Sequence, residues 1–353
     1  MIRKLINSQN RNHLIFGSNT DVGKTIMTAG LVNACIRRKK KISMQNNHNK
    51  MRKVQYIKPL QCGGSDQSFV DSFVSKQSQK EFLEVQYVSH ILHRWESFAS
   101  PHLASIVEEH FVSNDEVLNS LIETLNGKHE NMLNMLESNR YQTSSYGKEA
   151  ITTFIETAGG VLSPGPSSLS SKSSSATTSN KSNVENSYIW STQADLYSPL
   201  KSNFSTILVG DGTLGGISAT LSSLESLWLR GYQVDVILLL EKNIHLDADV
   251  QNDEVENNII TSENLTALSN AEAIQHYLIE ASKSNDIENI SMPSHSHKQI
   301  IQHLEMKQNI DVVCFTKPLP PMPEPLDDWF NDPLVMQKFD DIETILEDKW
   351  SER

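Results

Sequence analysis

The stretch Gly17-Ser18-Asn19-Thr20-Asp21-Val22-Gly23-Lys24-Thr25 holds residue types that bind phosphate. Backbone N–H groups of a glycine-rich turn converge on an anion at the positive end of a helix. In such a turn Lys24 reaches the terminal phosphates and the Thr25 hydroxyl sits on Mg2+. Five residues rather than four separate Gly17 from Gly23, a departure from the common phosphate-loop spacing. The flanks supply the context the turn requires: a short apolar run at 14–16 before it and a helical run at 26–34 after it.

Further groups with chemistry follow other apolar runs. Lys58 follows residues 54–57, and Pro59 is expected to stop that strand. The loop Gln61-Cys62-Gly63-Gly64-Ser65-Asp66 comes next. Glu156 follows a strand at 150–155 and opens Glu156-Thr157-Ala158-Gly159-Gly160. A second glycine turn, 210–216, follows residues 206–209 and runs into a helix that Gly231 ends. Mg2+ favours one or two carboxylates beside phosphate oxygens and water. Glu156 and Asp66 fit that need with Thr25, Asp66 being preferred to Asp71 because it lies in the loop after Lys58.

These elements must be positioned by an α/β fold, a mostly parallel P-loop NTPase-type sheet with helices on both faces. Such sheets bind ligands beyond the carboxyl ends of their strands, so groups scattered in sequence share one edge. The near-continuous apolar run 234–240 reads as a strand covered on both faces, and 311–315 as the last strand, closed by Pro318-Leu319-Pro320-Pro321. Residues 68–126 read as mostly helical, with one helical face at Ile106, Val107 and Phe111 and another at Val117, Leu121 and Ile122. Residues 1–325 then form one domain. A disordered serine-rich insertion is expected at 167–187 and a polar insertion at 243–309, with one helix near 271–281. From 326 to 353 an acidic helical tail or linker follows.

Composition limits the function classes. The 353 residues are 38% apolar with a net charge of −12, and the mean hydropathy is −0.39. This argues against a general nucleic-acid surface, which needs clustered Lys and Arg. The basic run Arg37-Arg38-Lys39-Lys40-Lys41 reads as a solvated helix end complementing the dipole. Three cysteines, Cys35, Cys62 and Cys314, have no metal or disulfide spacing, so a reducing compartment is expected. No stretch approaches a membrane span of about 18 apolar residues.

The motif series resembles dethiobiotin synthetase, above all the synthetase half of the plant-type bifunctional proteins in which a diaminopelargonate aminotransferase follows. The matching pieces are the phosphate turn, Tyr56-Ile57-Lys58-Pro59-Leu60, Ser100-Pro101-His102, Glu156 to Gly160 with Ser163-Pro164-Gly165-Pro166, and residues 209–217. The resemblance spans roughly residues 13 to 240, returns weakly at 317–330, and includes the five-residue spacing as the family's own form. It implies that a diamine takes up CO2 as a carbamate, which ATP activates and the second amine closes into a cyclic urea. The implied ligands are ATP, Mg2+, 7,8-diaminopelargonate and CO2 or bicarbonate.

The resemblance assigns catalysis to Lys24, Lys58 and Thr20, and ATP to Ser18, Asn19, Thr20, Asp21, Val22, Gly23, Lys24, Thr25, Asn243 and Pro318. Substrate contacts fall on Thr20, Lys58, Cys62, Ser100, Pro101, Gly159, Gly215, Gly216, Ile217 and Ser218, the last four coming from a second subunit. A homodimer with shared sites is therefore implied, as is association with or fusion to the aminotransferase. His102 reads as a packed histidine rather than an acid–base group. The location implied is soluble and intracellular, mitochondrial if the chain follows the plant-type proteins and otherwise cytoplasmic. The family's bacterial members read adenine with an Asn-Asp pair where this chain has Glu241-Lys242-Asn243. Thr213 stands where a basic residue is frequent. Two other readings share the phosphate turn: a related ATP-dependent amidoligase, and a non-catalytic nucleotide-binding module for regulation or assembly.

Overall fold

The computed structural model describes residues 10–46, 52–78, 85–127, 151–169, 188–242, 266–283, 310–321 and 325–353. Seven parallel strands form one sheet: β1 (Arg11–Gly17), β2 (Arg52–Cys62), β3 (Val85–Trp95), β4 (Ile151–Gly160), β7 (Ser205–Val209), β8 (Val234–Lys242) and β9 (Asp311–Leu319). Their order is β3-β2-β4-β1-β7-β8-β9. The two-residue strands β5 (Ser168–Leu169) and β6 (Tyr188–Ile189) pair antiparallel outside it.

Each central strand alternates its side chains between two buried layers, as the period of two requires. Leu14 and Phe16 of β1 join Leu208 and Ile237 on one face. Ile15 joins Ile207, Val209 and Leu238 on the other. The first face is covered by α3 (Pro101–Val107), α4 (Asn114–Leu125), α5 (Gln193–Tyr197), α6 (Gly216–Leu229) and α7 (Thr266–Lys283). The second is covered by α1 (Lys24–Asn46), α2 (Asp66–Ser78), α8 (Asp327–Phe330) and α9 (Pro333–Ser351). Ser113 opens α4 with a capping box, its hydroxyl accepting from the Glu116 N–H while Glu116 returns to the Ser113 N–H.

Several boundaries depart from the sequence expectation. β3 lies inside the stretch expected to be helical. It is the edge strand, so its half-exposed faces carry no clean alternation, although Val85, Tyr87, Val88 and Ile91 favour extended chain. Phe111 falls beyond α3, not on its face. Pro59 does not end β2. Pairing with β4 runs only from Lys53 to Ile57, so the later residues of β2 are bonded on one side alone, where a missing N–H costs little. Pro318 likewise sits inside β9, at the opposite edge of the sheet. Glu156 to Gly160 belong to β4 itself rather than to a loop after it. The expected helix near 271–281 is part of α7. Most of both expected insertions (170–187, 243–265 and 284–309) lies outside the described residues.

The basic run does not end its helix, and only Lys41 of it is exposed rather than buried or half-buried. α1 continues through it to Asn46, and α9 lies alongside. Arg37 pairs with Asp340 at 2.7 Å, Arg38 with Glu347, and Lys39 donates to the Lys53 carbonyl at 3.0 Å. The acidic segment after 326 is thus a packed layer: Trp329, Phe330, Val335, Phe339, Ile342 and Leu346 are all buried. Each such side chain contributes about 1.5–3 kcal/mol when removed from water. Gly30 of α1 makes room for Phe339, since a Cβ there would lie 2.0 Å from its ring.

Beneath α9 lies His13, fully buried, with neither ring nitrogen hydrogen-bonded. It stacks on Phe154 at 5.0 Å and meets Trp350 edge-on. Burial first, then the charges of Arg11, Arg353 and Lys39, hold its pKa well below 6.5. Below about pH 6.5 the unfolded chain takes a proton that the folded one refuses, so stability falls as pH drops. We expect denaturation midpoints to decline between pH 6.5 and 5, and His13→Phe to flatten that decline. An equal decline in both proteins would acquit His13.

Candidate active site

Three neighbouring strands carry the site. β1 lies between β4 and β7 in the sheet, so the chain leaving β1 passes over β4 to reach β2, and this reversal opens a crevice at the carboxyl edge. The phosphate turn leaves β1, Lys58 stands on β2 and Glu156 on β4 in register with Ile15. Gly23 has φ of +96°, and Asp21, which is not glycine, has φ of 57°. Lys242, at the end of β8, donates to the Asp21 carbonyl at 2.7 Å and holds that left-handed residue from outside. Lys24 folds back across the turn, its Nζ donating to the Asn19 carbonyl at 3.1 Å. A Cβ on Gly17 would come within 2.7 Å of that Nζ.

Glu156 is fully buried and has a partner on every side. Its Oε1 accepts from Thr25 Oγ1 and from Lys58 Nζ, each at 2.8 Å, and its Oε2 accepts from the Tyr56 hydroxyl at 3.1 Å. Lys58 Nζ also meets Asp66 Oδ2 at 2.8 Å. Burial pulls the Lys58 pKa down, but Glu156 and Asp66 outweigh it, and the net shift is upward. Burial and then the Lys58 charge bring Lys24 down to about 8. Two buried cations are thus balanced unequally: Lys58 is matched by two carboxylates, whereas Lys24 is left short of negative charge. An anionic ligand would satisfy Lys24.

Among the described residues no group of three His, Cys, Asp or Glu side chains could hold a metal by itself. The donors that do converge are the Thr25 hydroxyl and the carboxylates of Glu156 and Asp66, with the Lys58 ammonium bridging the two acids. Hard oxygens in that number suit Mg2+ carried in on phosphates, not a stand-alone metal cage. Asp71 is occupied elsewhere, accepting from Tyr87 at 2.7 Å and from Ser89 at 3.0 Å.

A cavity of about 610 Å3 is lined by Thr20, Asp21, Gly23, Lys24, Thr25 and Lys58, together with Cys62, Asp66, Ser100, Pro101, Glu156 and Gly159. Other residues on the sequence-based roster lie elsewhere. Ser18 gives its N–H to the Val209 carbonyl, and its hydroxyl is buried without a partner. Asn19 accepts from the Thr20 N–H at 2.8 Å, and Val22 packs in the core. Gly215 to Ser218 open α6 outside this cavity, after a turn that Asp211 and Asn270 close on itself. Pro318 is not among the lining residues, and Asn243 lies outside the described residues. Glu241 accepts from the Ala267 N–H at 2.8 Å at the start of α7, so its carboxylate is spent on the helix.

Sequence reasoning missed Leu60, Gln61, Phe98, Ala99, Ala158 and Ser163, which also line the cavity. Ser163 was legible in its Pro-Gly-Pro motif, and its hydroxyl accepts from the Gly160 N–H at 2.7 Å. Phe98 carried no signal beyond preceding Ser100-Pro101-His102. Ser100 does not cap α3 with its side chain, because its hydroxyl pairs with His102 Nδ1 at 2.9 Å.

An all-parallel sheet with a lysine–threonine phosphate turn leaving its central strand defines an α/β protein of P-loop NTPase-like arrangement. Comparison with known proteins narrows this. The chain is 30% identical over 236 residues, 67% of its length, to a bifunctional dethiobiotin synthetase/adenosylmethionine-8-amino-7-oxononanoate aminotransferase of Emericella nidulans. It is 27% and 28% identical, over 64% and 66% of its length, to mitochondrial bifunctional dethiobiotin synthetase/7,8-diamino-pelargonic acid aminotransferases of Arabidopsis thaliana and Oryza sativa subsp. japonica. The resemblance carried by the motifs is therefore matched along about two thirds of the chain, consistent with a dethiobiotin synthetase domain. The aligned part spans only 22% of the fungal relative and 28% of each plant relative. No family model matches the chain.

Proposed function

We propose that this chain is an ATP-dependent dethiobiotin synthetase of biotin biosynthesis, carboxylating 7,8-diaminopelargonate with CO2 and closing the ureido ring with release of ADP and phosphate. The observation that carries this reading is the bridge Glu156–Lys58–Asp66, its glutamate and lysine buried, beside Thr25 and Lys24 in one cavity at the carboxyl edge of the sheet. Carbamate and phosphate are both anions, so the reaction asks for placed cations and N–H donors more than for a nucleophile.

Thr25, Asp66 and Glu156 would hold Mg2+, whose charge neutralises the phosphate oxygens. Lys24 holds the terminal phosphate and gains back the proton affinity that burial removed. Lys58 keeps its proton, because two carboxylates face it, and presents that charge to the carbamate and the phosphoryl group under transfer. Thr20, Cys62, Ser100, Pro101 and Gly159 line the space left for the diamine. Gly215 to Ser218 stand apart from the cavity within one chain, the placement needed if a second copy supplies them to a shared homodimer site. The relatives' names join the synthetase to an aminotransferase, so this chain acts as the synthetase part beside or fused to such an enzyme.

Purified protein with 7,8-diaminopelargonate, bicarbonate, Mg2+ and ATP is expected to yield dethiobiotin by mass, with one phosphate per product. ATP binding without diamine-dependent phosphate release would favour the non-catalytic module instead. The plant relatives are mitochondrial by name, and fractionation of the source cells decides between that compartment and the cytosol. Among the described residues no helix is long and apolar enough to cross a membrane.

A further inference from the structure

Charged groups account for only part of the cavity. Apolar side chains line another part of it: Ile26, Leu60, Phe98, Ala99, Pro101 and Ala158. Phe98 stands out because its side chain is 86% exposed although it borders the cavity. A phenyl ring left in water forgoes the stabilisation that burial would bring.

The chain that carries the ring is nevertheless held in place. Glu108 grips the chain just before it, one carboxylate oxygen accepting from the Ser97 N–H at 2.7 Å and the other from the Glu96 N–H at 3.2 Å. Below the ring lies Gly63, in a left-handed conformation (φ 56°) and tied to the Trp95 carbonyl at 2.8 Å. A Cβ on Gly63 would come within 2.7 Å of the ring, so the phenyl group rests on bare backbone. An uncovered aromatic face, carried on a hydrogen-bonded backbone beside a charged cavity, offers a surface for an apolar ligand.

We infer that Phe98 is the wall against which the hydrocarbon chain of the substrate lies, making it a specificity-determining residue. This rests on the dethiobiotin-synthetase reading. That substrate carries its two reacting amines at one end and a carboxylate at the other, with a run of methylenes between. The lysines and carboxylates of the cavity serve the reacting end, and a methylene run gains nothing from them. Phe98 and its apolar neighbours offer the complementary surface.

Phe98→Ala is expected to raise KM for 7,8-diaminopelargonate roughly fifteenfold relative to KM for ATP. That is the loss of contact with about two methylenes, each worth roughly fourfold in affinity. Phe98→Leu should recover most of the loss. With diamino acids shortened one methylene at a time, the unmodified protein should lose affinity stepwise and Phe98→Ala by smaller steps. Because the ring is exposed, both variants should melt with the unmodified protein. A KM ratio within twofold of the original, or equal steps in both proteins, overturns the assignment. So does a change of oligomeric state with no change in diamine KM, which would give the ring to an interface between copies. Unmodified protein that never makes dethiobiotin removes the parent reading, whereas an active one with an indifferent Phe98 removes only the wall.

Discussion

Lys58→Ala is expected to abolish measurable dethiobiotin formation while leaving ATP affinity within a few fold. The Lys58 side chain is 5% exposed and lies 2.8 Å from both Glu156 and Asp66, whereas in the proposed reading the phosphate turn and Lys24 hold the nucleotide without it. Removing one preorganised charge aimed at a developing anion costs on the order of 10^2 to 10^3 in turnover. A lysine serving both the carbamate and the moving phosphoryl group should sit at or above that range. The substitution also leaves Glu156 buried without its cation, a situation worth several kcal/mol. The variant should therefore melt lower than the unmodified protein in EDTA and recover part of the difference with Mg2+ and ADP. Steady-state turnover, nucleotide titration and melting curves check the three parts separately. Turnover that survives would show that Lys58 is a structural counter-ion only.

Glu343→Ala should be the most destabilising change away from the site. Glu343 lies fully buried on α9 and accepts from Arg11 of β1 at 2.7 Å, and Arg11 is itself only 15% exposed. Truncating one partner leaves a buried guanidinium whose nearest substitute, Glu347, is 4.0 Å away and partly in solvent. Breaking such a pair costs about 3–5 kcal/mol, and replacing both members by apolar side chains of similar volume recovers most of it. A denaturant series should show the midpoint of Glu343→Ala falling at unchanged slope, and Arg11→Met with Glu343→Leu returning near the original. A loss below about 1 kcal/mol would mean that the apolar face of α9 suffices to dock it.

The ion pairs of α9 show where sequence reasoning reaches its limit. Arg37 and Arg38 lie about 300 residues from Asp340 and Glu347. Nothing local distinguishes a basic run facing water from one lying along an acidic helix, so the sequence alone reads this run as solvated although part of it pairs with α9. The same holds for β3. An edge strand is covered unevenly and bonded on one side, so it lacks both the alternation of a half-buried strand and the continuous apolar run of a central one.

Local chemistry fixed the phosphate turn, because glycines, a lysine and a threonine between a strand and a helix admit few other uses, and the apolar periods of the central strands fixed the fold class. The order of residues also placed Lys58 and Asp66 late in or just beyond one strand and Glu156 late in another, which sends them to one edge of a parallel sheet. Tertiary structure decided the rest. It brought Asp66 and not Asp71 to the lysine, closed the second glycine turn away from the cavity, and laid Phe98 on Gly63. Those outcomes depend on distances between segments far apart in the chain, and side-chain identity alone carries no information about which distant backbone a side chain will meet.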